Sequence, residues 1–306
     1  MSTKSLAPSA TVVTDRDPKG IKFMSIVAAA YNKAGLPEDE AQRVNDTPGL
    51  ADLVASFIGE NRRPDKYKGE EVESSYGYLS GYTKPKGLTQ QANDLRALFP
   101  GLGFANLDLQ KQIEDGKVAL PTGAEGWPAI PNWMKNPEIF GKTYSEVVQT
   151  ALNAIKKARQ GKFFNYREGQ IIEKQLRQSA KSQKFWQDLA TAQGNPDILI
   201  IAAQFGIRHR GRSDRRALEV IAGTPGEFGL GAFAVGIMIL THPERLMNYD
   251  DLWIDCSGDE FDDPSSDVRF DHAPCFGFYG DKVRFDSRHV GSADENGGTA
   301  SGFVSQ

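Results

Sequence analysis

The chain is poor in the features that mark the common functional classes. Two cysteines, Cys256 and Cys275, occur among 306 residues and form no C-x-x-C. Two thiolates cannot close the four-ligand site of a structural zinc, and one disulfide between them stays open because pairing is not readable from spacing. No apolar run approaches the roughly 20 residues that span a bilayer. The longest, 198–203 and 230–240, have the length of buried strands or a core helix. Basic residues are not in excess, since the formal charge is −4. A general nucleic-acid binder carries the opposite balance, so neither a nucleic-acid partner nor a transmembrane segment is expected.

Also missing are G-x-S-x-G, the P-loop, G-x-G-x-x-G and H-E-x-x-H, each of which fixes a nucleophile, a phosphate cradle or a metal pair in a defined local structure. The four histidines, His209, His242, His272 and His289, have no metal-ligand spacing. The expectation is a protein without catalytic residues, metal or cofactor, and so not an enzyme. The first residues contain a lysine with no apolar stretch after it, unlike a secretory signal. Residues 1–20 read as a flexible tail, and the protein as cytoplasmic by default or brought to a surface or particle by a partner.

What is present reads first as helices. Ile21, Phe23, Met24, Ile26, Val27 and Ala30 fall largely on one side before Gly35 stops the pattern. Pro37 opens a second helix, and Asp46-Thr-Pro48 introduces a third that would bury Leu50, Leu53, Val54 and Phe57. Residues 66–87, rich in Tyr, Gly and Lys, read as a loop or irregular hairpin. Helical spacing returns over 89–99 and 107–113, with Pro100-Gly101 as the break between them. Residues 121–137 carry prolines that exclude a regular helix. This stretch is either a linker or, through Trp127, Ile130 and Trp133, buried; the domain boundary is placed just before it. Thr143 to Arg159 is the clearest helix, with its stripe at Val147, Val148, Ala151, Leu152 and Ile155 and basic residues in its last turns. Another helical pattern runs from 171 to about 192, and 198–201 reads as a strand.

Charge is concentrated in two runs. Arg208, Arg210, Arg212, Arg215 and Arg216 form one, and the carboxylates between Asp250 and Asp267 form the other. Runs of opposite sign meet in the fold or stay solvated more often than they bind phosphate. The acidic run does not fit a calcium-binding EF-hand loop. Asp255 next to Cys256 suggests an activated thiol, but Trp253 and Ile254 point to a buried strand in which a thiol is inert.

The last stretch, 274–306, combines aromatic, guanidinium, carboxylate and amide groups on a glycine-broken chain, the composition of a contact surface. Its middle follows neither strand alternation nor helical period overall. Val283 with Phe285, and Phe303 with Val304, are its apolar anchors. The contact candidates are Phe276, Phe278, Tyr279, Asp286, Ser287, Arg288, His289, Asp294, Glu295 and Asn296.

The succession GAEGWPAIPNW (123–133), YREGQ (166–170), AAQFGIRHRGRS (202–213), FGLGAFAVGIMILTHPERL (228–246), YDDLWIDCSGDEF (249–261) and GTASGF (298–303) resembles the variable proteins of diversity-generating retroelements, most closely a group encoded by ultra-small candidate-phylum bacteria. The resemblance covers about residues 123–306. It implies an α+β protein. Residues 121–306 would form a C-type lectin-like domain near the formylglycine-generating-enzyme branch, preceded by a small helical module over 21–120. The variable region, about 274–298, would be rewritten by adenine-specific mutagenesis to bind changing protein or other macromolecular ligands. Between Phe276 and Gly298, only Lys282 and Glu295 lie outside the residues reachable by mutating adenines in an asparagine codon. The cysteine pair of the formylglycine-generating enzymes has no counterpart motif here, so the resemblance is of fold and not activity. A protein-modifying enzyme on the same fold, using Cys256 or Cys275, and a structural phage or cell-surface component are the competing readings.

Overall fold

The computed structural model describes residues 14–61 and 66–304. Contacts divide the chain into two compact units, Met1–Phe57 and Ile58–Gln306. Most of the expected tail, residues 1–13, lies outside the described residues, whereas Pro18–Gly20 are already helical.

The first unit consists of α1 (Pro18–Ala34), α2 (Glu38–Asp46) and α3 (Leu50–Asn61), the last running across the division. α1 has proline in its first turn and ends where Gly35 takes φ 60°, a left-handed conformation that costs glycine little. The stripes expected to be buried are not. Leu53 and Phe57 are 58% and 57% exposed, and Leu50, Ile21, Met24 and Ile26 are exposed as well. Neither α1 nor α2 contains a buried residue, because a unit of fewer than 60 residues encloses little interior.

The second unit is mixed α and β. It begins with α4 (Leu88–Leu98) and α5 (Leu107–Glu114), then β1 (Ala129–Pro131), α6 (Pro137–Phe140), α7 (Tyr144–Ala158), β2 (Phe163–Asn165), β3 (Leu176–Gln178) and α8 (Ala180–Ala192). It continues with β4 (Ile198–Ile200), β5 (Ala202–Gln204), α9 (Asp214–Gly223), β6 (Glu227–Gly229) and α10 (Ala232–Thr241). Six strands close it: β7 (Trp253–Asp255), β8 (Asp259–Phe261), β9 (His272–Tyr279), β10 (Lys282–His289), β11 (Gly297–Thr299) and β12 (Ser301–Phe303). The main sheet has the order β11-β7-β9-β10-β2, with β8 pairing β9 and β3 pairing β8. A small sheet has the order β5-β12-β6, and β1 pairs with β4.

Two expectations change here. The division does not fall before residue 121: Leu88, Leu95, Phe99 and Leu102 share one core with Ile130 and Trp133. The same burial decides between the two readings of 121–137 in favour of the covered one, with Ile130 and Trp133 in the core and Trp127 packed against it. The helical pattern from 171 holds only from Ala180, where Ser179 accepts from the Ser182 N–H (3.2 Å); the residues before it form β3 instead. Residues 66–87 hold no strand longer than an isolated bridge, as an irregular loop would.

The centre of the unit is α10, Ala-Phe-Ala-Val-Gly-Ile-Met-Ile-Leu-Thr, in which every residue but Leu240 is buried. A helix apolar all round has no solvent side and must be enclosed. α7 covers one side with the stripe expected from the sequence, held at its N-terminus by a capping box between Thr143 and Glu146. The sheet covers another, and the Phe276 ring lies close to Gly236. At the N-terminus of α10, Gly231 provides no side-chain cap. Asp259 substitutes from β8: its Oδ2 accepts from the Ala232 N–H (2.7 Å) and from the Tyr144 hydroxyl (3.0 Å). A Cβ at Gly231 would lie 2.2 Å from Asp259 Oδ1, so this approach requires glycine. Burial raises the Asp259 carboxyl to about 7, against the two donors. None of the described helices is long and apolar enough to cross a membrane.

Phe276→Ala is expected to cost about 3–5 kcal/mol in chemical denaturation, as a buried core ring should; a loss below about 1 kcal/mol would return Phe276 to the surface.

Candidate ligand-binding face

The C-terminal hairpin is two-sided. In β10 the burial alternates, with Val283, Phe285 and Ser287 buried and Arg284, Asp286 and Arg288 only partly so. Strand alternation therefore does govern this part of the terminal stretch. Antiparallel register sets Phe285 opposite Phe276 and Arg284 opposite Gly277, so one face is core and the other looks outward.

The ten contact candidates divide accordingly. Phe276 is fully buried and its ring lies 5.0 Å from that of Phe285; it is core and not a contact residue. Ser287 is buried too, because residues two apart on a strand share a face with the anchors Val283 and Phe285. Phe278 packs partly against the core. Arg288 is mostly covered and is paired with Asp255 (3.5 Å) and Asp294. Asp286 is half-buried and bonds Arg167 Nε at 2.7 Å. Asn296 is half-buried, and its carbonyl accepts from the Trp253 N–H (2.7 Å). Tyr279, His289, Asp294 and Glu295 are exposed. They form two groups: Tyr279 lies at the hairpin tip, while the other three follow the far end of β10. An eight-residue strand rises about 3.3 Å per residue, so the two groups are not one site.

The structure instead joins Tyr279 to residues that the sequence pattern did not single out. The Arg284 guanidinium lies 4.2 Å from the centre of the Tyr279 ring and 5.2 Å from that of Tyr166. Its Nη1 donates to the Tyr166 hydroxyl and its Nε to the Tyr279 carbonyl (3.2 Å). Phe164 stands edge-on to Tyr166 at 4.7 Å, and Tyr249 lies 5.5 Å from Tyr279. The result is a ladder, Phe164–Tyr166–Arg284–Tyr279–Tyr249, whose four rings are each 45–57% exposed. Beside it Trp253 lies across Gly277, where a Cβ would come within 2.4 Å of the indole. The available signal was alternation in Phe163-Phe-Asn-Tyr166, which places Phe164 and Tyr166 on one side of a strand. That β2 would pair with β10 was not visible in it.

The arginine-rich segment is neutralised, but not by the acidic run between Asp250 and Asp267. Arg208 pairs with Glu227 (3.2 Å), Arg212 with Glu71 (3.3 Å), Arg215 with Glu70, and Arg216 with Glu71 and Glu219. The acidic run has partners of its own. Asp251 accepts from the Leu79 N–H (2.8 Å) and the Ser80 hydroxyl (2.6 Å), and Asp263 pairs with Arg167 (2.8 Å).

Glu227 is the hub of a buried network. It accepts from Ser301 Oγ (2.6 Å), His209 Nε2 (2.8 Å) and Arg208 Nε (3.2 Å). Arg212 Nη1 meets His209 Nδ1 at 3.1 Å, so neutral His209, protonated on Nε2, satisfies both contacts. Burial works against the Glu227 charge, yet His209, Arg208 and Ser301 hold its carboxyl down at about 2. Burial raises the Asp255 carboxyl, and burial together with Asp255 raises that of Asp214, with Arg288 opposing both. Cys256 and Cys275 are free, buried, and pushed up foremost by burial, which keeps both as thiols. Among the described residues no group of three or more His, Cys, Asp or Glu side chains is arranged to hold a metal ion.

No family model matches the chain, and no solved structure matches it. An alignment of 123 positions, which covers 37% of this chain and 5% of the other protein, is 26% identical to a reducing polyketide synthase of Gibberella moniliformis. A likeness this partial assigns neither family nor activity.

Because the Glu227 carboxyl lies below its usual value, the stability it contributes is present above about pH 4.5 and lost as the pH falls through about 2. Glu227→Gln is expected to destabilise by on the order of 3 kcal/mol at pH 7, with the penalty shrinking below pH 4 in urea titrations. An equal penalty at pH 7 and pH 3 would show that packing alone is responsible.

Proposed function

We propose that the protein is a non-enzymatic binding protein that presents ligand-contacting side chains on a C-type lectin-like framework. The observation that carries this reading is the exposed ring-and-guanidinium ladder on the outward face of a sheet whose other face is core. Tyrosine and arginine combine contact area, stacking and directed hydrogen bonds, and they dominate binding hot spots. The framework beneath does not depend on them, since Val283, Phe285, Phe276 and α10 fill the inner face. The buried thiols weigh against a cysteine-based modifying enzyme.

The sequence resemblance adds that the C-terminal face is diversified by retroelement mutagenesis. In that reading change is tolerated at exposed positions such as Tyr279, His289, Asp294 and Glu295, and not at Phe276 or Ser287, which pack inward. The ligand is a protein or another macromolecule, and its different versions would be met by different side chains on a constant sheet.

A Tyr249→Ala, Tyr279→Ala, Arg284→Ala triple variant is expected to lose the wild-type signal on peptide and glycan arrays while its Tm moves by no more than about 2 °C. Retained signal, or a collapse in Tm, would count against the face. Diversification is tested separately in the flanking DNA, where a reverse transcriptase gene and a near-copy of the 3′ end differing at adenines are expected; sister genes with an unchanged 3′ end would end that part of the proposal.

A further inference from the structure

Tyr249, the last ring of the ladder, stands on a turn, 247–250, that belongs to no helix or strand. Backbone groups in such a turn have no ladder to bond, so something else must hold the side chain in place. A buried carboxylate does so. Asp251, with no exposed surface, accepts on Oδ2 from the Met247 N–H (2.8 Å), the Asn248 N–H (2.7 Å) and the Ser80 hydroxyl (2.6 Å). Its Oδ1 accepts from the Leu79 N–H (2.8 Å). Arg245, equally buried, donates to the Leu252 carbonyl (2.9 Å) and so closes the loop at its ends.

Burying a carboxylate is costly unless it is paired or fully hydrogen-bonded. Among the described residues no cation pairs with Asp251, and the four bonds offset the cost instead. All four go to two irregular segments, 79–80 and 247–248. The large side chains on them, Leu79 and Met247, are 61% and 52% exposed, as is Tyr249 at 57%. The carboxylate therefore fixes side chains that look to solvent and add nothing to the core. Tyr249 is the one among them that meets the ladder, 5.5 Å from Tyr279.

We propose that Asp251 is a positioning residue of the binding face: its carboxylate sets Tyr249 against Tyr279 and draws Leu79 and Met247 up beside that ring. The face then continues past the ladder onto an aliphatic ledge. This rests on the ladder being the contact surface. Phe164, Tyr166, Tyr249, Leu79 and Met247 all lie outside 274–298, so under diversification Tyr279 and Arg284 would vary against a constant apolar floor.

The test incorporates 3-fluorotyrosine into the full chain and assigns the Tyr249 fluorine signal with Tyr249→Phe. Tyr279→Leu is expected to shift that signal by removing the neighbouring ring. In Asp251→Asn the signal should already have moved and should no longer respond to Tyr279→Leu, because an amide keeps the volume but turns two donors toward a site made of donors. On the peptide and glycan arrays Asp251→Asn should lose about tenfold or more of the wild-type signal. Phe276→Ala, which weakens the core without touching the turn, should keep the array pattern at a temperature where both variants are folded. If Asp251→Asn does not fold, Ser80→Ala removes one of the four bonds and is read in the same way, with a smaller shift. An unmoved Tyr249 signal overturns the proposal, as does an equal loss of array signal in Asp251→Asn and Phe276→Ala, which would make the effect one of stability. A moved signal with array binding intact overturns it too, and the Tyr249→Ala, Tyr279→Ala, Arg284→Ala triple variant then separates two failures. Binding lost in the triple variant leaves the ladder as the face and removes only the positioning role; binding kept there removes the ladder as well.

Discussion

Enclosure of α10 is the constraint on which the second unit rests. Apolar on every side, the helix cannot lie on a surface, so α7 and the sheet must close over it from different directions. Its N-terminus is equally committed. Gly231 leaves room for Asp259, and that carboxylate, with Tyr144, occupies the end of the helix where an outside anion would otherwise bind. The helix is thus fastened by the chain itself, and its function in the molecule is structural.

From this enclosure follows the sidedness of the sheet. Phe276, Phe285 and Val283 are drawn inward, and the residues between them on β10 are turned out by strand geometry. Ring stacking then holds Arg284 between Tyr166 and Tyr279 although no carboxylate among the described residues pairs with it. A charged, partly exposed group kept in place by neutral rings retains its capacity to meet a ligand, whereas Arg288, nearer the far end of the same strand, is already engaged by Asp255 and Asp294. Two arginines four residues apart in one strand therefore have different availability. Their neighbours, not their type, make the difference.

The arginine segment shows the same principle at larger scale. Five arginines within nine positions could act as an anion surface, but Glu70 and Glu71, Glu219 and Glu227 take up four of them, and Arg210 donates to the Tyr76 carbonyl (2.9 Å). Of the two glutamates, Glu70 ends a single 3-10 turn and Glu71 follows it, within the otherwise irregular stretch 66–87. Proximity in space, which no run of like charge reveals, decides that this segment stitches the loop to α9 and β6.

Much of the helical part was legible from local pattern: the extent and stripe of α7, the stop of α1 at Gly35, the approximate ends of α4 and α5, and the apolar run that became α10. Val283 and Phe285 were likewise read as strand anchors, and the aromatic residues of 121–137 as candidates for burial. Local periodicity and capping chemistry act within a few residues, which is why the amino-acid order alone determines them. The pairing of β2 with β10, the inward turn of Phe276 and Ser287, and the exposed stripes of α1 and α3 were decided only by tertiary structure. Each depends on what lies across the interior or is missing from it, and such distant partners leave no trace in the spacing of neighbouring residues.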